Sequence, residues 1–198
     1  MITTQEYLQY DKEWTLDWND IGDKVWSNPH ADEIREYNKT LVEKYPFLLP
    51  RNRWTDEIAE DYDYSWTELD SMPTGWRIRF GDEMVEEISQ ELKRCNYEYE
   101  YRILQIKEKW GELRWYDSGL IEDCKVWDII EKYSALSRII CIKCGDLATK
   151  ESQGWVSPFC ETCAQDIEKE EREIFRDITV EEYNRTQEVI KIYNEKIH

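Results

Sequence analysis

The chain has 198 residues, a formal net charge of −18, and 26 Lys and Arg against 44 Asp and Glu. Residues 1–75 carry net −10, 76–140 net −3 and 141–198 net −5, so no region offers the basic footprint that nonspecific nucleic-acid binding or attraction to anionic lipid requires. No apolar run is long enough to span a bilayer, and the start, MITTQEYLQYDKEW, has no basic region followed by an apolar core, so neither a membrane span nor a signal peptide is expected.

Residues 3–26 mix Trp14, Trp18 and Trp26 with acids, and Ile21-Gly22 suggests a break. Ser27-Asn28-Pro29 reads as a helix start. Ile34, Tyr37, Leu41 and Tyr45 then fall on one helical face, and Pro46 ends it. His30, in that first turn, is expected to be a surface residue. Residues 46–80 show no clear period; a long irregular stretch in a compact chain is usually functional or disordered, and its aromatics argue against disorder.

From Asp82, taken as a cap, Val85, Ile88, Leu92 and Cys95 predict a helix. Residues 97–108 and 112–117 read as two strands joined at Lys109-Trp110-Gly111. Val126, Ile129, Ile130, Tyr133 and Leu136 predict a third helix. It leads without a linker into IICIKCGDLATKESQGWVSPFCETC, residues 139–163.

That stretch holds Cys141-x2-Cys144 and Cys160-x2-Cys163, the spacing of a four-thiolate zinc site. Each two-residue spacer lets a tight turn aim both sulfurs at one point. Four thiolates leave no open position, so such a site is structural. Gly145 follows the first pair, where a knuckle turn favours positive φ. A helical pattern carries the second pair, which favours a treble-clef-like module over a ribbon-like one; two disulfides or four free thiols are the alternatives. Cys95 and Cys124 read as buried, reduced and unreactive thiols, with no cationic cluster credited with lowering either.

Beyond Cys163, Ile167, Ile174, Phe175 and Ile178 predict one helix. Thr179-Val180-Glu181-Glu182 forms a capping box opening a last helix with Val189, Ile190, Tyr193 and Ile197 on its stripe. That helix is expected to dock on its own chain. The expected class is therefore α+β: helices around a small antiparallel hairpin or sheet, a four-cysteine zinc module and a helical C-terminal tail. The expected organisation is an acidic body over 1–138, the zinc module over 139–178 packed on it, and the C-terminal helix over 179–198.

Ten Trp and 13 Tyr stand against 4 Phe. Core packing is their ordinary use; interface anchoring is the sharper one. Arg51, Arg53, Arg77 and Arg79 stand beside Trp54 and Trp76, and Arg114 lies near Trp110. Guanidinium forks with indole faces can hold a phosphate and stack a base. Against that, the arginines can pair internally with Asp56, Glu60, Asp61, Asp63, Glu68 and Asp70. Those same acids could instead hold a divalent cation. Phosphate-loop, dinucleotide, zinc-protease and nucleophile-elbow motifs are absent, and histidine is scarce, so the common nucleophile–base pairs are missing.

The segments YPFLLPRNRWT, DYDYSWTELDSMPTGWR and YRILQIKEKWGELRWYD, with the CIKCGDLAT–GWVSPFCETC pair, resemble a family of uncharacterised proteins from bacteriophages, prophages and gut bacteria, over roughly residues 45–164. The resemblance implies a mobile-element setting in a bacterial cytoplasm and carries over no activity. The leading expectation is a non-enzymatic, zinc-stabilised protein, monomer or homodimer, that inhibits a host protein with a basic surface. One alternative is a nucleotide-binding Arg/Trp pocket. The other is a divalent-metal enzyme built on the Asp56–Asp70 cluster.

Overall fold

The computed structural model describes residues 1–18, 24–52, 54–171 and 173–198. The chain forms two compact units, Met1–Glu68 and Leu69–His198. It is α+β, with helices and small antiparallel sheets, and none of the described helices is long and apolar enough to cross a membrane.

The first unit opens with α1 (Thr4–Tyr10), closed at its start by a Thr3/Glu6 capping box. Strands β1 (Thr15–Trp18) and β2 (Lys24–Ser27) pair antiparallel; the expected break at Ile21-Gly22 lies outside the described residues. Helix α2 (Ala31–Lys44) follows the predicted period, and Ile34 and Tyr37 are buried with Tyr7. Tyr7 and Tyr37 stack at 4.7 Å, so two tyrosines supply the apolar area that Leu and Val would otherwise provide. His30 is half-buried, stacked on Tyr10 at 3.8 Å with Nε2 3.2 Å from Glu13, which makes it a packing residue.

In the second unit the helix begins earlier than Asp82. Pro73 caps a turn, α3 (Thr74–Trp76), which passes through a π turn at Arg77–Gly81 into α4 (Asp82–Arg94). The proline read as irregularity is the helix start, where a missing N–H costs nothing. Met84, Val85, Ile88 and Leu92 face the core.

Strands β3 (Ile103–Lys109) and β4 (Glu112–Asp117) form the predicted hairpin with Lys109 opposite Glu112. Its two-residue loop has Trp110 at φ 58 and Gly111 at φ 75, the pattern of a type I′ turn. Helix α5 (Val126–Ser137) follows as predicted.

After the first cysteine pair come β5 (Lys150–Ser152), β6 (Pro158–Phe159) and α6 (Glu161–Glu171). The stripe of Ile167, Ile174, Phe175 and Ile178 is not one helix. Residues Phe175–Asp177 form β7, which pairs with β5 in a sheet ordered β6-β5-β7. Phe175 packs edge-on against Phe159 at 5.4 Å, and Lys150 reaches Asp177 at 2.8 Å. A cross-strand partner overrides the helical spacing. Helix α7 (Val180–Ile197) starts at the predicted capping box and docks along α5; Lys125 Nζ donates to the Ile197 carbonyl at 2.9 Å.

Candidate metal centre

The first pair of cysteines sits in a knuckle just beyond α5. Cys141 N–H donates to Asp146 O at 2.7 Å and Gly145 N–H to Cys141 O at 3.0 Å, while Ile140 bridges to Leu147. Gly145 has φ 86, as the turn requires. The second pair opens α6. Cys160 precedes it and Cys163 lies in its first turn, its N–H donating to Cys160 Sγ at 3.5 Å. The knuckle, the β5–β6 hairpin and α6 thus bring both pairs to one point.

All four sulfurs lie within 4.8 Å of one another, and Cys144 and Cys160 are 3.6 Å apart. Cys141 and Cys160 are buried; Cys144 and Cys163 are half-buried. This group could hold a metal ion. Burial pushes the Cys144 thiol well up and the Cys163 thiol up to about 12, with neighbouring cysteines adding to both. Burial also raises Cys141, but backbone N–H groups of Cys160, Cys144 and Lys143 outweigh it and the thiol ends lowered. Crowded sulfurs that resist ionising alone are what a divalent cation would convert to thiolates.

The knuckle is anchored to α3. Gly75 N–H donates to Ile142 O at 2.9 Å, and the buried Trp76 indole N–H donates to Ile140 O at 2.9 Å. Trp76 therefore supports the metal centre from the core and is closed to any ligand.

No family model, curated protein or solved structure matches the chain.

Among the described residues, the arginines and tryptophans singled out from the sequence are divided between the two units. Arg51 pairs with Asp56 at 3.7 Å and Trp54 is 94% exposed, both in the first unit. Arg53 lies outside the described residues. Arg77 is buried and paired with Asp70, because a guanidinium in the core needs a carboxylate beside it. Arg79 is exposed. The Asp56–Asp70 acids form no cation cage among the described residues: Asp56, Asp63 and Asp70 go to Arg51, Arg35 and Arg77 in turn.

Trp110 and Arg114 line a common depression, a groove of about 600 Å³ in the second unit shared with Arg138, Arg176, Arg185 and Tyr193. The last four come from the end of α5, from β7 and, for Arg185 and Tyr193, from α7, and no spacing in the sequence links these three elements. Each arginine already faces a glutamate: Arg114 and Arg138 meet the buried Glu112, Arg176 meets Glu151 and Glu182, and Arg185 meets Glu181.

Proposed function

We propose that this chain is a non-enzymatic binding protein, stabilised by one structural zinc, that engages a partner with a basic surface through tryptophans set in an acidic surface. The observation that carries this reading is the exposure of the indoles. Among the eight tryptophans whose side chains are described, Trp14, Trp54, Trp66, Trp110, Trp127 and Trp155 are 46–94% exposed, and only Trp76 and Trp115 are buried. Tryptophan is the residue that most often anchors interfaces.

Trp110 adds a backbone argument. A bulky residue at φ 58 occupies a turn position that Asn or Gly fills without strain. Its indole nevertheless stands 65% exposed, stacked on Trp155 at 6.3 Å. Strain retained to display a side chain points to a use for that side chain. Both units are acidic, with 16 acids against 7 bases in Met1–Glu68 and 28 against 19 in Leu69–His198.

Zinc is the metal that four cysteines at this spacing suit best, and the knuckle, hairpin and helix are the parts of a treble clef. With four protein ligands the ion has no open position, so its role is to hold α6 and the knuckle together. In the mobile-element setting that the sequence resemblance implies, the partner is a host protein that handles nucleic acid in the bacterial cytoplasm. The protein, as monomer or homodimer, would inhibit it by covering its basic surface.

A second reading rests on the arginine-lined groove, which suits a small phosphate-bearing ligand such as a nucleotide, with Trp110 at its edge. Because each arginine there is paired with a glutamate, a ligand must displace those pairs, and the first reading is preferred.

The test is capture from a bacterial lysate with identification by mass spectrometry, followed by kinetics with the captured partner. Charge attraction is screened beyond about 8 Å at physiological salt. Association should therefore slow as salt rises, and nucleic acid should compete. Trp54→Ala or Trp155→Ala should mainly speed dissociation. A salt-indifferent rate, with nucleic acid bound simultaneously, would move the assignment to the groove.

A further inference from the structure

Away from the metal centre, a second group of reactive side chains comes together where α4 ends and α5 begins. The Sγ atoms of Cys95 and Cys124 and a carboxylate oxygen of Glu91 lie within 4.8 Å of one another. Both cysteines are half-buried, within reach of a small oxidant.

The backbone fixes each sulfur. Cys95 is the C-cap of α4, followed by Asn96 at φ 53. Tyr97 N–H donates to Leu92 O and Asn96 N–H to Lys93 O, the paired bonds of a Schellman ending. On the other side Asp123, at φ 65, turns the chain into Cys124, and its carbonyl accepts from Arg94 at 2.6 Å. Lys125 then caps α5 and donates its N–H to Glu91 at 2.6 Å.

The third member of the group is not free to ligate. Glu91 accepts two bonds from Arg94, at 2.7 and 2.6 Å, besides the Lys125 N–H and a 3.5 Å contact from Cys95. These donors occupy its lone pairs, and the guanidinium opposes a cation. What remains is two thiols facing each other.

We propose that Cys95 and Cys124 are an oxidative modification site, closing to a reversible disulfide that staples the base of the β3–β4 hairpin. With a peroxide as oxidant, one thiol becomes a sulfenic acid and releases water. The second sulfur then displaces the hydroxyl, which leaves as a second water with that thiol's proton. Two thiols lose two protons and two electrons; the peroxide gains them. Arg94, next to Cys95 in sequence, stands 3.4 Å from its sulfur. Its charge is held by Glu91, however, and burial together with Cys124 pushes the Cys95 thiol up to about 12. The pair therefore rests reduced until an oxidant arrives.

The bond would tie the end of α4 to the corner that also holds the end of α7 through Lys125. The experiment treats the intact, metal-loaded protein with near-stoichiometric hydrogen peroxide. It then maps peptides without reduction, measures bound zinc and records the thermal midpoint. The expected result is a peptide linking Cys95 to Cys124, loss of two hydrogens in mass, zinc retained, and a raised midpoint that dithiothreitol reverses. Cys95→Ser with Cys124→Ser should show none of these changes and keep the same zinc content. Sulfinic acids at the two positions without a cross-link, or a link to a zinc-site cysteine instead, would overturn the proposal. So would a zinc content that falls in the double variant, which would make the group a metal site.

Discussion

Gly75 lies backbone to backbone against Cys141. A Cβ built on Gly75 would stand 2.2 Å from the Cys141 carbonyl oxygen and 2.7 Å from Gly145 N. The contact is reciprocal, since a Cβ on Gly145 would meet Gly75 O at 2.7 Å. None of these atoms is the end of a flexible side chain, so nothing can swing aside. Gly75→Ala should therefore destabilise the second unit by about 3 kcal/mol or more and weaken metal retention. Thermal unfolding and metal content, measured on the same sample, check both.

The purified protein should carry one zinc per chain, measured by elemental analysis after purification without chelator. Serine at Cys141, Cys144, Cys160 or Cys163 should release it and loosen the knuckle and α6 together, because binding and local folding are linked. Chelator should do the same to the unaltered chain. Absence of metal from protein prepared this way would refute the assignment.

Trp76 and Trp54, adjacent to arginines in the same irregular stretch of sequence, should behave oppositely. Trp76→Phe keeps most of the packing but leaves the Ile140 carbonyl without its 2.9 Å donor, at a cost of about 1–3 kcal/mol. Trp54→Ala removes a side chain that is 94% exposed and should change stability by less than about 0.5 kcal/mol. Denaturant midpoints of the two variants distinguish a core anchor from a displayed one.

That contrast shows where the sequence is readable. The helices α2 and α5 and the body of α4 announce themselves by period, the β3–β4 hairpin by its composition and turn, and the four cysteines by spacing. The Thr179 capping box is equally local, and so is the Thr3/Glu6 box. What local pattern cannot convey is burial. Arg77 and Trp76 look like ligand-binding residues until the core closes over them. The strand β7 is the same lesson in backbone form. Ile174, Phe175 and Ile178 fit a helical stripe, and only the pairing of Phe175, Arg176 and Asp177 with Ser152, Glu151 and Lys150, over twenty residues earlier, turns that stretch into a sheet edge. The groove lined by Arg138, Arg176 and Arg185 depends on α5, β7 and α7 meeting, which no spacing encodes.

The last expectation concerns acid and helix α7. Glu182 closes the capping box, accepting from Thr179 N–H at 2.8 Å and Oγ1 at 2.9 Å, and also takes two bonds from Arg176 at 3.0 and 2.9 Å. The Arg176 guanidinium first, and Thr179 second, hold its carboxyl down at about 2, against 4.5 for an ordinary glutamate. A carboxylate depressed in the folded state contributes stability that is fully present above the unfolded value and lost as pH falls through the folded one. The window is thus 4.5 down to about 2. The group is 40% exposed, so solvent screens much of the effect. Amide exchange in the first turn of α7 should accelerate as pH drops through that window, after correction for intrinsic rates. Glu182→Gln should show the looser first turn already at neutral pH, with a flatter acid response. Thr179→Ala should cost about 1 kcal/mol by removing the other half of the cap. Raised salt should narrow the difference between the parent and Glu182→Gln by weakening the Arg176 pair, while leaving the Thr179 hydrogen bonds in place.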